Sequence, residues 1–185
     1  RNSASAACCG AAAASLLAST RPTAQNRFYA VDRVRAAALA PLPDVGRARD
    51  AACAAADAIA DEDAEAGRRI GEAGAALIHD GARVLTHCNA GWLAFTDWGT
   101  ALSPIYRAKR EGRRVFVWVD ETRPRLQGAR LTAGELAGEG IDFRLIPDNA
   151  AGYFMRRGEV DLVIVGAEAW AGASQLSSVQ RSPSS

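Results

Sequence analysis

The stretch Thr86-His87-Cys88-Asn89-Ala90-Gly91 places an imidazole, a thiol and an amide at the end of a short apolar run. A cysteine there, followed by Asn and Gly, sits where backbone N–H groups and a following helix would favour the thiolate, the nucleophilic form. The plainer reading is a small buried apolar side chain, which is what most free cysteines are. Three more polar loops follow apolar runs: Asp120 to Arg130, Pro147-Asp148-Asn149, and Gly166-Ala167-Glu168. Glu168 suits general acid or base work if it is brought near Cys88. Asp120 and Asp148 have the same chemistry, but equally well cap the helices after them. Arg21, Arg123, Arg125 and Arg130 offer forked donors for a phosphate, although most arginines in so arginine-rich a chain are solvated. His87 alternates with Cys88 along the run, so it is expected to face the other way, as a structural histidine. His79 falls at a helix end, where a cation suits the dipole. Two histidines so placed make poor metal ligands. No glycine-rich dinucleotide or nucleoside-triphosphate fingerprint follows a strand.

The elements that position these residues are legible in outline. Residues 11–80 are rich in Ala, Arg, Asp and Glu and read as helices, one starting at Pro22 with Thr20 near its cap. Pro41 and Pro43 break the chain, and a long Ala-rich helix follows from about Val45 to Ile78, stopping at Asp80-Gly81. From Ala82 onward, four apolar runs (83–86, 115–119, 141–146 and 160–165) alternate with helix candidates at 97–111, 129–138 and 150–157. That alternation predicts a parallel sheet with helices on both faces, a doubly wound α/β fold. In such sheets ligands bind beyond the carboxyl ends of the strands, where all four polar loops fall. The opposite edge carries ordinary turn residues such as Glu111-Gly112 and Gly138-Glu139-Gly140.

Composition narrows the class. The 185 residues are 49% hydrophobic and 23% charged, close to the globular average, which excludes disorder as the dominant state. No apolar stretch approaches the roughly 20 residues of a membrane span. A net charge of +1 gives no footprint for nucleic acid or for a lipid surface. Cys8, Cys9, Cys53 and Cys88 show no paired or zinc-knuckle spacing, which points to a reducing, cytoplasmic setting. With no signal peptide and no initiating Met, the chain reads as a fragment of a longer protein. After Trp170 the periodicity is lost, and the residues are expected to form an irregular tail.

Several motifs together resemble the methylthioribose-1-phosphate isomerases of the initiation-factor-2B alpha/beta/delta-like family. They are Thr86-His87-Cys88-Asn89-Ala90-Gly91, Gly99-Thr100-Ala101-Leu102, Asp120-Glu121-Thr122-Arg123-Pro124, Gln127-Gly128-Ala129-Arg130-Leu131-Thr132-Ala133 and Asp148-Asn149. Ser19-Thr20-Arg21-Pro22-Thr23 resembles the same family's arginine-proline-threonine helix start. The match runs in order from about residue 16 to 168.

The resemblance implies an incomplete N-terminal helical region (1–80), a C-terminally truncated Rossmann-like catalytic domain (81–169) and an irregular tail (170–185). It implies a cofactor-free, metal-free aldose–ketose isomerase of methionine salvage, acting on a small sugar phosphate as a homodimer, with no nucleic-acid or membrane partner. Cys88 would be the catalytic thiol and Glu168 its acidic partner, with Arg21 on phosphate and Gln127 on a sugar hydroxyl. Ribose-1,5-bisphosphate isomerase and a non-catalytic sugar-phosphate-binding or regulatory module of the same fold are the alternatives. The family's Asp-Arg pair is here Glu168-Ala169, and one extra methylene displaces a carboxylate by about 1 Å, a shift that can cost roughly a hundredfold. The family's Arg-Gly-Ala-Pro loop and its Asn-Gly-Asp and Asn-Lys stretch are absent.

Overall fold

In a computed structural model of the chain, residues 3–20, 25–166 and 178–181 are described. The chain divides into two compact units, Arg1–Glu62 and Asp63–Ser185.

The first unit is helical. Helix α1 spans Ser3–Ser19 and α2 spans Gln25–Leu39. The expected start at Pro22 falls among residues 21–24, outside the described residues. Asp44 opens α3 (Val45–Ala75), its Oδ1 accepting from the Arg47 N–H at 3.0 Å as an N-cap carboxylate does. A bidentate Arg33–Glu62 pair, at 2.5 and 2.7 Å, ties α2 to α3 on the surface of this unit.

The second unit takes in the last turns of α3, so its boundary lies upstream of the composition change near residue 80. Gly67, Gly71 and Gly74 recur at helical spacing and let Gly99, Ser103 and Pro104 pack directly on the helix backbone. A Cβ at Gly67 would lie 2.6 Å from the Gly99 carbonyl oxygen, and one at Gly71 would lie 2.5 Å from Ser103 Oγ. Ser103 donates to the Gly67 carbonyl at 2.6 Å. The Arg113 guanidinium covers the helix exit, donating to the carbonyls of Ala75 and Ile78.

Four parallel strands follow where the apolar runs predict them: β1 (Ala82–His87), β2 (Val115–Asp120), β3 (Asp142–Ile146) and β4 (Leu162–Val165). The sheet order is β3-β2-β1-β4-β5. Strand β5 (Ser178–Arg181) pairs antiparallel to β4, from Leu162↔Arg181 to Val165↔Ser178. Four residues of the expected irregular tail are therefore a strand. Pairing of this kind joins backbone groups and covers the open edge of β4, so it needs no apolar pattern.

Helices lie on both faces. Val84, Val117, Val119 and Ile164 pack with Ala75, Ile78, Leu102, Ile105, Tyr106 and Leu136, joining the end of α3, helix α4 (Ser103–Arg110) and helix α5 (Ala133–Gly138). On the other face Leu85, Trp118 and Ile146 meet α6 (Ala151–Arg156), where Phe154 stacks on Trp118 at 4.2 Å. Strands covered on both faces account for continuous apolar runs instead of alternation. Each fully buried Val, Leu or Ile contributes about 1.5–3 kcal/mol. The helix expected over 97–111 is confined to α4, because the residues before Ser103 form turns that set Trp98 and Gly99 against Gly67.

Candidate functional site

Strand β1 pairs with β2 on one side and with β4 on the other. The connections from β1 to β3 run outward in one direction, and the chain then returns across β1 to place β4. The crevice above β1 and β4 is thus the topological switch point, where open α/β sheets bind ligands. Cys88 is the first residue past β1. Its thiol is free and half-buried, and its backbone is left-handed at φ 61°. Such a conformation in a residue with a Cβ costs energy unless its surroundings hold it, and it recurs at functional sites. No helix follows directly, since α4 begins only at Ser103. The expectation of a helix N-terminus behind the thiol is corrected accordingly.

The holding comes from another element. A π-helical turn, Gly128–Thr132, runs into α5 and turns Thr132 and Glu135 inward, at 0% and 1% exposure. The Thr132 hydroxyl donates to the Cys88 carbonyl at 2.5 Å and accepts from Asn89 Nδ2 at 3.1 Å. The Glu135 carboxylate accepts from Asn89 Nδ2 (2.7 Å), the Trp92 N–H (2.9 Å), the Leu93 N–H (3.3 Å) and the Tyr106 hydroxyl (2.5 Å). Burial, and then the bond to Glu135, push the Tyr106 hydroxyl above its ordinary pKa. Gly91 leaves room for this cluster, because a Cβ there would sit 2.6 Å from Glu135 Cδ and 2.7 Å from the Tyr106 oxygen. In the sequence Thr132 stands within the motif 127–133 with no role attached to it, and Glu135 lies outside every motif. The signal was an acidic residue on the buried stripe 132, 135, 136.

Gln127 opens the same helical segment. Its Oε1 accepts from the Thr122 hydroxyl at 2.5 Å, which orients its amide, and its own N–H donates back to Thr122 at 3.0 Å. Glu121 accepts from the N–H groups of Gly128 and Ala129 and so caps the turn. Gly166 closes the third side, since a Cβ there would touch the Ala90 Cβ at 3.0 Å. Glu168 and Arg21, the expected acidic partner and phosphate ligand, lie outside the described residues.

His87 and Asp120 end their strands in register, and Nδ1 meets Oδ2 at 2.7 Å. They share a sheet face with Leu85 and Trp118, the α6 side. Burial pushes the Asp120 carboxyl up, against the lowering by His87, and Asp148 and Glu121 add to the rise. The structural reading of His87 therefore gains a partner, and Asp120 binds it instead of capping a helix. His79 Nδ1 lies 2.9 Å from the Asp80 carbonyl oxygen. Among the described residues no group of three or more His, Cys, Asp or Glu could hold a metal ion, and no helix is long and apolar enough to cross a membrane.

Fold and site together define a doubly wound α/β protein with a braced cysteine loop at the switch point of its sheet. The chain belongs to the initiation factor 2 subunit family, whose model matches residues 11–179. It is 54% identical over 160 residues to a methylthioribose-1-phosphate isomerase of Cereibacter sphaeroides, covering 83% of this chain and 43% of that protein. The chain thus spans less than half the length of the curated relatives it matches. Among solved structures it is similar to the 5-methylthioribose 1-phosphate isomerase from Pyrococcus horikoshii, at 41% identity and a TM-score of 0.74 over 84% of this chain and 44% of that one. It is likewise similar to a structure titled translation initiation factor eIF-2B, subunit delta, from A. fulgidus, at 46% identity and a TM-score of 0.78 over 90% of this chain and 49% of that one.

Proposed function

We propose that the protein carrying this chain is the aldose–ketose isomerase that converts 5-methylthioribose 1-phosphate to 5-methylthioribulose 1-phosphate. It would act in cytoplasmic methionine salvage, as a cofactor-free homodimer. The observation that carries the reading is a half-buried thiol on a braced, left-handed residue at the switch point, in a chain whose relatives bear that name. In this reaction the C1–O4 bond breaks and O4 takes up a proton. One hydrogen passes from C2 to C1, and the C2 hydroxyl gives up its proton as the ketone forms. No electrons are gained or lost overall. The Cys88 thiol and the Glu168 carboxylate are the groups proposed to handle these hydrogens. The contact of Gly166 with Ala90 supports that pairing, because it brings the chain just before Glu168 against the cysteine loop. Arg21 is proposed on the phosphate and Gln127 on a sugar hydroxyl, through the amide that Thr122 orients.

Kinetics on the full-length protein test the reading. Cys88→Ser is expected to abolish turnover and leave substrate binding largely intact, and near-normal turnover in that variant would remove the thiol from the chemistry. Arg21→Ala is expected to weaken binding. Comparing ribose 1,5-bisphosphate as substrate separates the related isomerase. The similarity to a structure titled as a translation initiation factor subunit supports a second reading, a non-catalytic binding or regulatory module of the same fold. Equal binding by the native and Cys88→Ser proteins, with no isomerisation by either, would establish it.

A further inference from the structure

We infer that Glu135, acting with Thr132, is a positioning residue for Cys88: it holds the thiol loop from behind without touching the substrate. The inference rests on the reading of Cys88 as the reacting thiol. A carboxylate offers only acceptors, and all four groups turned toward Glu135 are donors. They come from three places: the loop amides of Trp92 and Leu93, the Asn89 side chain next to Cys88, and Tyr106 on α4. Thr132, one helical turn earlier, takes the Cys88 carbonyl itself. Because its single hydroxyl proton is spent on Cys88, Thr132 must accept from Asn89, and this fixes which end of the Asn89 amide faces α5. A chain of bonds therefore runs from Glu135 through Asn89 and Thr132 to the carbonyl of the residue with φ 61°. Hydrogen bonds linked in this way reinforce one another, and Thr132 and Glu135, from which they are anchored, are both buried. An acidic side chain at 1% exposure is unusual in a helix of six residues, and the core contacts of α5 do not require it.

The test needs no substrate. In the intact chain, labelling by iodoacetamide is followed residue by residue by mass spectrometry, with the exposed Cys53 as internal reference. Hydrogen exchange is followed over residues 88–93. In Glu135→Gln, which sets an amide donor against the loop donors, Cys88 labelling relative to Cys53 and loop exchange should both rise by at least about tenfold, while β1 and β2 exchange as before. Thr132→Val, which deletes the hydroxyl at constant shape, should do the same, and Thr132→Ser should restore the native rates. In the full-length protein the first two variants should lower kcat with little change in KM. Folded Glu135→Gln and Thr132→Val proteins whose labelling and exchange stay within about twofold of native would overturn the inference. If Glu135→Gln does not fold, the Thr132 pair decides alone. Absence of isomerase activity with altered labelling would defeat only the reaction assigned above. Activity with unaltered variants would defeat only the positioning role.

Discussion

At the residue scale the cysteine loop depends on what its neighbours lack. Gly91→Ala places a methyl group into the Glu135–Tyr106 bond, and neither partner has free volume to retreat. Overpacking of this kind is expected to cost about 1–3 kcal/mol, read from the urea midpoint at constant m-value. Asp161 shows the opposite case, a carboxylate the fold wants charged. It accepts from the Arg83 backbone N–H at 2.8 Å and from its guanidinium at 2.6 and 3.1 Å, and the side-chain bond from Arg83 holds it below the usual carboxylate range. A lowered native pKa means stability that is complete above the unfolded value near about 4 and is lost as the pH falls through the native one. Asp161→Asn is therefore expected to cost about 1 kcal/mol at pH 7, a figure discounted because Arg83 is 39% exposed. It should also flatten the acid limb of the stability curve, and denaturant melts from pH 7 to pH 3 check both points.

At the scale of elements two effects compete along the end of α3. Alanine at position 71 gains about 1 kcal/mol of helix propensity over glycine. Its methyl group, however, would meet Ser103 Oγ at 2.5 Å and the Ser103 carbonyl oxygen at 3.2 Å. Packing is expected to win, so Gly71→Ala should destabilise the protein by about 1–2 kcal/mol in equilibrium unfolding. The strands were legible because β1, β2 and β4 are covered on both faces, and that writes itself as unbroken apolar runs. The place of Cys88 just past β1 was legible from the apolar run that ends before it, whereas Gln127 enters only through the family motif around it. The brace behind Cys88 was not, since it depends on the π-helical turn that rotates Thr132 and Glu135 inward, and Gly-Ala-Arg-Leu-Thr carries no signal for that geometry. Residues 97–102 read as helix because nothing in Asp97-Trp98-Gly99 announces that Asp97 and Gly99 turn left-handed, at φ 67° and 72°.

For the whole molecule the two units differ in what holds them. Among the described residues of Arg1–Glu62 only Ala48 is a buried hydrophobic, and Leu16, Leu17, Tyr29, Leu39 and Val45 are exposed. Asp63–Ser185 contains every other buried hydrophobic. Local opening is cheapest where few apolar contacts must be broken. The amides of α1 and α2 are therefore expected to exchange at least about a hundredfold faster than those of β1 and β2, and native-state exchange by mass spectrometry checks this.

Gly67, Gly99 and Gly91 form a single column. A methyl group on the first would strike the carbonyl of the second, one on the second would lie 2.5 Å from the Cα of the third, and one on the third would strike Glu135. Side chains absorb a push by changing rotamer, but bare peptide planes have no rotamer to change. The column works as a spacer gauge cut to the thickness of the backbone, setting the height of the thiol loop above α3. A wedge entered at the helix would reach the cysteine loop with little left along the way to soften it.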